Sequence, residues 1–149
     1  MNKFLDELYE RASKKNKTIA LAEGFDKRAV KAAELLTKRG ICKVVLIGNP
    51  DEISKKNPEI DLAGVTVVNP ATCDKTEEYA NLLYELRKAK GMTPEQAKEL
   101  TLNNEMFFGT LMLKSGDIDG LVGGAVFSSA DVLRSAFQVI KPAPGIKSV

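Results

Sequence analysis

No histidine and no tryptophan occur in the 149 residues of this chain, and cysteine appears only twice. Without histidine the chain by itself cannot assemble a Ser-His-Asp or Cys-His catalytic group, and most transition-metal sites are excluded with it. Cys42 and Cys73 are far apart and form no C-x-x-C motif, so each reads as a small buried hydrophobe rather than a redox centre. No apolar run approaches the ~20 residues of a membrane span, and the N-terminus has no secretory pattern. A net charge of +2 is too small to argue for nucleic acid or a membrane as partner. Cytoplasm is therefore the expected compartment. Any chemistry must use Arg, Lys, Ser, Thr, acidic side chains and backbone dipoles.

What is present suits one soluble α/β domain spanning residues 1–149, with 44% hydrophobic and 28% charged residues. Phe4, Leu5, Leu8, Tyr9 and Ala12 recur at helical spacing and predict an amphipathic first helix. Thr18–Ala22 is a short apolar strand. Asp26 is placed to cap a helix whose expected buried side is Ala29, Val30, Ala32, Ala33, Leu35 and Leu36, with Gly40 ending it. Lys43–Ile47 and Gly64–Val68 read as further strands, joined by a polar connection. Strands apolar on both faces, alternating with helices, predict a mostly parallel sheet with helices on both sides, a three-layer αβα arrangement.

A long helix is expected from near Asp74, with Tyr79, Leu82, Leu83 and Leu86 as its stripe and Arg87 at the stripe's edge. Arg87 also fits a surface arginine whose stem lies on the core. Thr93-Pro94-Glu95 starts a short helix, and Asn103–Ser115 a further one. Gly109, inside the latter, costs ~1 kcal/mol against alanine; close packing or a bend would account for it.

The most informative stretch runs from Gly120 to Arg134. It reads as the end of a strand (Ile118–Val122), two glycines, two hydroxyls and a helix with an arginine in its second turn. Ser128 with Asp131 three residues on fits a helix start. Free N–H groups and the helix dipole there suit an anion, phosphate above all, and the glycines admit close backbone approach. The run lacks the P-loop lysine and does not fit G-x-G-x-x-G. A plain strand-to-helix turn, with Ser128 only capping and Arg134 pairing with Asp131, fits the same spacing. In the helix that follows, Ala130, Leu133, Phe137 and Ile140 are expected to face inward. Lys141–Gly145 breaks the helix, and Ile146–Val149 reads as a strand just beginning, which predicts a portion of a longer protein.

These segments, in order, resemble the phosphate acetyltransferase (phosphotransacetylase) family: Glu23-Gly24-Phe25-Asp26-Lys27-Arg28, Tyr84 to Thr93, Phe108 to Met112, Asp119 through Gln138, and Pro144-Gly145-Ile146-Lys147. Ala22 stands where the family usually has proline, and Ser129 where it often has threonine. The resemblance implies two α/β domains with the active site in the cleft between them, this chain being most of the first. It implies reversible acetyl transfer between CoA and phosphate, with CoA, acetyl-CoA, acetyl phosphate and phosphate as substrates and no cofactor. It also implies a homodimer when full length. The family's catalytic Ser-Arg pair and aspartate base fall in the C-terminal portion, so this chain alone is expected to be inactive. Arg134 is the first candidate for a phosphate or CoA contact, Ser128 and Ser129 for hydrogen bonds to the anion, and Arg87 for CoA. Phosphate butyryltransferase and a non-catalytic acyl-CoA-sensing domain are the competing readings.

Overall fold

The apolar runs assemble into one four-stranded sheet, all parallel, in the computed structural model, which describes residues 3–146. The strands are β1 (Thr18–Leu21), β2 (Lys43–Ile47), β3 (Thr66–Val68) and β4 (Gly120–Val122), in the order β3-β2-β1-β4. Side chains alternate between faces along each strand. Leu21, Val44 and Leu46 point to one side, where α2 (Lys27–Lys38) and α3 (Pro50–Lys56) cover them with Val30, Ala33 and Ile53. Ala20, Val45 and Ile47 point to the other. There α4 (Thr76–Arg87), α5 (Pro94–Asn103) and α6 (Glu105–Ser115) supply Tyr79, Leu83, Phe108 and Leu111. The three-layer arrangement expected from the alternation of elements is the one found.

Several boundaries follow from local chemistry. Asp26 caps α2 by accepting the Arg28 N–H, and Thr93 and Gln96 form a reciprocal capping box at the start of α5. The supposed polar connection after β2 contains α3, whose first N–H groups the Asn49 side chain accepts. The two helices expected from Thr93 and over Asn103–Ser115 are found as α5 and α6. The chain breaks at Asn104, where the extended backbone ends one helix and the side chain caps the next. Gly109 needs no bend: a β-carbon there would lie 2.7 Å from a Leu121 methyl and 2.8 Å from an Ile47 methyl, so α6 sits close on the sheet.

Two expected burials are reversed. In α2, Leu35 is exposed and Glu34 is buried in its stead. In α7 (Ser129–Ser135) and the π-helical turn after it (Ala136–Ile140), Leu133 is 49% and Phe137 46% exposed, and Ala130 and Ile140 are exposed too. Ser135 and Val139 face the core instead. The Ser135 and Thr110 hydroxyls lie 3.1 Å apart, and Ser135 also donates to the Val132 carbonyl. That buried polar contact and Val139 set the rotation of the helix. The strand expected at Ile146–Val149 falls largely outside the described residues; Ile146 itself is not in a strand.

Glu34 is held by Lys31, by Lys38 at 2.9 Å and by the Asp61 N–H at 3.1 Å, which ties α2 to the segment leading to β3. These donors lower its carboxyl from 4.5 to about 2. A carboxyl depressed on folding adds stability that is present above its unfolded value and is lost as pH falls through the folded one. Glu34→Gln is therefore expected to lower stability at pH 7 and to flatten the decline between about pH 5 and pH 2, read from urea midpoints against pH. Parallel profiles for the two proteins would remove this role. Gly24 gives a second expectation: a β-carbon there would lie 2.4 Å from the Ile47 carbonyl oxygen, which the Gly24 N–H already engages at 3.0 Å. Gly24→Ala should cost about 2–3 kcal/mol in urea unfolding, whereas a loss below about 0.5 kcal/mol would mean that the turn adjusts freely.

Candidate functional site

In a parallel sheet ligands gather at the carboxyl ends of the strands, beside the point where the strand order reverses. Here the chain goes from β1 outward through β2 to β3, then returns to place β4 on the other side of β1. The reversal lies between β1 and β4. Two connections leave the sheet there: residues 22–26, leading to α2, and residues 123–128, leading to α7. Their pairing continues past the strands, with the Ala22 N–H donating to the Val122 carbonyl at 3.1 Å.

The turn after β1 grips the loop after β4. Glu23 is 2% exposed, and its carboxylate accepts four consecutive backbone N–H groups. Gly124 and Ala125 donate to Oε2 at 3.0 and 2.8 Å, and Val126 and Phe127 to Oε1 at 2.7 and 2.8 Å. Burial pushes the Glu23 carboxyl upward, but the four donors together outweigh it and hold the group below its ordinary value. From the first turn of α2, Arg28 donates to the Ala125 carbonyl at 2.7 Å while paired with Asp26 at 3.0 Å. The Phe25 and Phe127 rings meet edge to face with centroids 6.0 Å apart.

The glycine-rich run ahead of the expected anion site at the start of α7 is thus already engaged. The N–H groups of residues 124–127 are directed at a carboxylate of the chain itself, not at an open site. Nothing in the glycine-rich run pointed to that partner; the only cue was an acidic residue directly after an apolar strand. The close approach allowed by Gly123 is likewise taken up internally, since a β-carbon there would lie 2.0 Å from Met106 Cε.

The candidate residues are placed as follows. Ser128 caps α7: its Oγ accepts the Asp131 N–H at 3.2 Å and lies 2.7 Å from an Asp131 carboxylate oxygen. Asp131 thus engages Ser128, and no ion pair joins it to Arg134 among the described residues. Ser129 is exposed at the first turn and lines a shallow hollow of about 460 Å³ with Gly123, Gly124, Phe127, Val132 and Leu133. Arg134 is exposed on the face of Ala130 and Phe137, about 140° around the helix axis from Ser129. The three share one helix but not one cluster. Arg87 ends α4, half-buried, and its Nε is buried without a hydrogen-bond partner among the described residues. α4 begins beside Asp117, which receives Lys75 and Tyr79, and Arg87 lies about 12 Å along the helix axis from Tyr79. A smaller cavity of about 160 Å³ opens at the ends of β2 and β3, lined by Phe25, Asn49, Lys56, Asn69 and Glu105 among others; burial raises the Glu105 carboxyl.

Residues 3–149 match the family model described as phosphate acetyl/butaryl transferase. A phosphate acetyltransferase from Acetivibrio thermocellus is 50% identical over 146 residues, which are 98% of this chain and 44% of that protein. One from Thermoanaerobacterium thermosaccharolyticum is 43% identical over 97% of this chain and 44% of its own length. Among solved structures, a phosphotransacetylase from Streptococcus pyogenes superposes with a TM-score of 0.88 at 32% identity, covering 99% of this chain and 46% of that one. The EutD phosphotransacetylase from Staphylococcus aureus gives 0.85 at 36% identity, covering 97% and 44%. The chain thus spans less than half the length of these relatives. Over almost its whole length it belongs to the phosphate acetyl/butaryl transferase family.

Proposed function

We propose that the chain forms part of a phosphate acetyltransferase, catalysing acetyl-CoA + phosphate ⇌ acetyl phosphate + CoA, and that it supplies one wall of the active-site cleft as the first of two domains. The observation that carries this reading is 50% identity with a phosphate acetyltransferase across 98% of the chain. CoA and the acyl and free phosphates enter as substrates, with no resident cofactor. The reading extends to a cytoplasmic homodimer for the full-length protein.

In the direction of CoA attack, the thiolate adds to the acyl carbonyl, a C–S bond forms, and phosphate leaves with the C–O bonding pair. Negative charge grows on the carbonyl oxygen and the leaving phosphate, so fixed cations and N–H or O–H donors lower the barrier. Arg134 suits this role: its guanidinium is exposed, has no hydrogen-bond or ion-pair partner among the described residues, and can present two donors to a phosphate. Ser129, exposed at the hollow beside the loop, is a second donor, with Ser128 behind it holding the helix start. Arg87 adds a separate observation. A buried donor left without an acceptor is costly, and a phosphate group of CoA reaching it would remove that cost. The exposed Leu133 and Phe137 fit a surface meant to be covered by the remainder of a longer chain.

The activity is tested by following thioester formation from acetyl phosphate and CoA with this chain and with a complete polypeptide that contains it. Turnover only by the complete polypeptide is expected; turnover by neither would refute the reading. Because the family model spans both acyl groups, butyryl phosphate belongs in the same assay, and faster turnover with it would make the protein a butyryltransferase. In the complete polypeptide Arg134→Ala should lower kcat/KM by roughly 10- to 150-fold, the loss of about 1.5–3 kcal/mol from one charge-assisted contact. Unchanged kinetics would leave Arg134 a surface residue. For Arg87→Ala, the KM for CoA should rise more than that for acetyl phosphate, and equal effects on both would exclude a CoA-specific role.

A further inference from the structure

Four consecutive peptide N–H groups converging on two oxygens make a nest for an anion, the kind of concavity that binds phosphate elsewhere. Here the anion is tethered to the protein. Burying a carboxylate is costlier than burying an apolar side chain of similar size, so core packing alone does not account for Glu23. Gly124, Ala125 and Val126 are exposed residues, yet their N–H groups turn inward to this buried carboxylate. What the carboxylate alone supplies is a single loop geometry. Each oxygen takes two neighbouring N–H groups, so one rigid, planar group orients four successive peptide planes, the last directly before Ser128.

We propose that Glu23 is the positioning residue of the site, its carboxylate standing in the nest of residues 124–127 as a built-in anion and thereby fixing where the loop presents Ser128 and Ser129. Phe25, in the turn after β1, and Arg28, in the first turn of α2, hold the same loop. A substrate anion is accordingly met by the outer side of the loop and the start of α7, not by the inner N–H groups. The inference rests on the acyltransferase reading for what the loop presents, but not for the filling of the nest.

The geometry sets the substitutions apart. Glu23→Ala removes the Cγ methylene and the carboxylate, leaving a space that a small free carboxylate fills. Glu23→Gln keeps the volume but turns an NH2 group toward two N–H donors.

The test uses the complete polypeptide containing this chain, with sodium formate as the probe and sodium chloride at equal ionic strength as control. For Glu23→Ala, kcat/KM is expected to fall by about 100-fold, with the KM for acetyl phosphate rising more than that for CoA. Formate should restore at least a tenth of the lost activity, saturably, and should raise the melting temperature of Glu23→Ala but not that of the wild type, whose nest is filled. Glu23→Gln should show the same kinetic loss with no response to formate. A Glu23→Ala protein that formate neither reactivates nor stabilises would overturn the assignment, as would a Glu23→Gln protein within twofold of wild-type activity. Should Glu23→Ala not fold, the Gln variant decides by that same criterion. Absence of thioester formation by the wild type would instead strike the acyltransferase reading, leaving the melting-temperature comparison to judge Glu23.

Discussion

Between β1 and β4, the Glu23 carboxylate joins two segments that are 101 to 104 residues apart in sequence, and the arrangement of the site depends on that contact. Strand order makes it possible. Because β4 returns to lie beside β1, the first residues beyond the two strands face each other, and the acidic residue of one turn meets the N–H groups of the other. At the crevice in which many doubly wound sheets hold a ligand's phosphate, the loop N–H groups are here taken by a side chain. The balance within the contact is legible in the carboxyl itself: burial disfavours the charged form, and four donors more than restore it.

The same region leaves apolar surface on the outside. α7 and the π-helical turn after it put Ser135 and Val139 inward, so Leu133 and Phe137 lie on the solvent side together with Arg134. A hydroxyl contact with Thr110, buried in α6, is a stronger determinant of helix rotation than a few apolar side chains, because an unmatched buried hydroxyl is penalised and an exposed leucine hardly is. The outcome agrees with a chain that aligns with less than half of its relatives' length. Basic and apolar groups share this surface, as the proposed cleft wall requires.

Elsewhere acidic residues act as internal fasteners. Glu34 secures the segment before β3 to α2, and Asp117 receives Lys75 and the buried Tyr79 hydroxyl where the chain enters β4. Asp119, one strand-end further, takes Lys17 and the Thr18 N–H. Each joins elements that are distant in sequence at an end of the sheet. Glu23 belongs to this set, but it alone lies on the carboxyl edge at the reversal of strand order.

The sequence by itself determined the element types, the parallel three-layer fold and most helix starts. These depend on period-2 and period-3.6 apolar patterns and on hydrogen bonds spanning two or three residues, as at Asp26, Thr93 with Gln96, and Ser128 with Asp131. The family, too, was legible in its ordered segments. Only the tertiary structure decided which partner the loop N–H groups take, which face of α7 is buried, that Glu34 rather than Leu35 turns inward, and that the Arg87 Nε is buried without an acceptor among the described residues. A donor or an apolar stripe can be recognised from its neighbours in the chain. Its partner cannot, because that is chosen by strand order and helix rotation, which bring residues a hundred positions apart to within 3 Å.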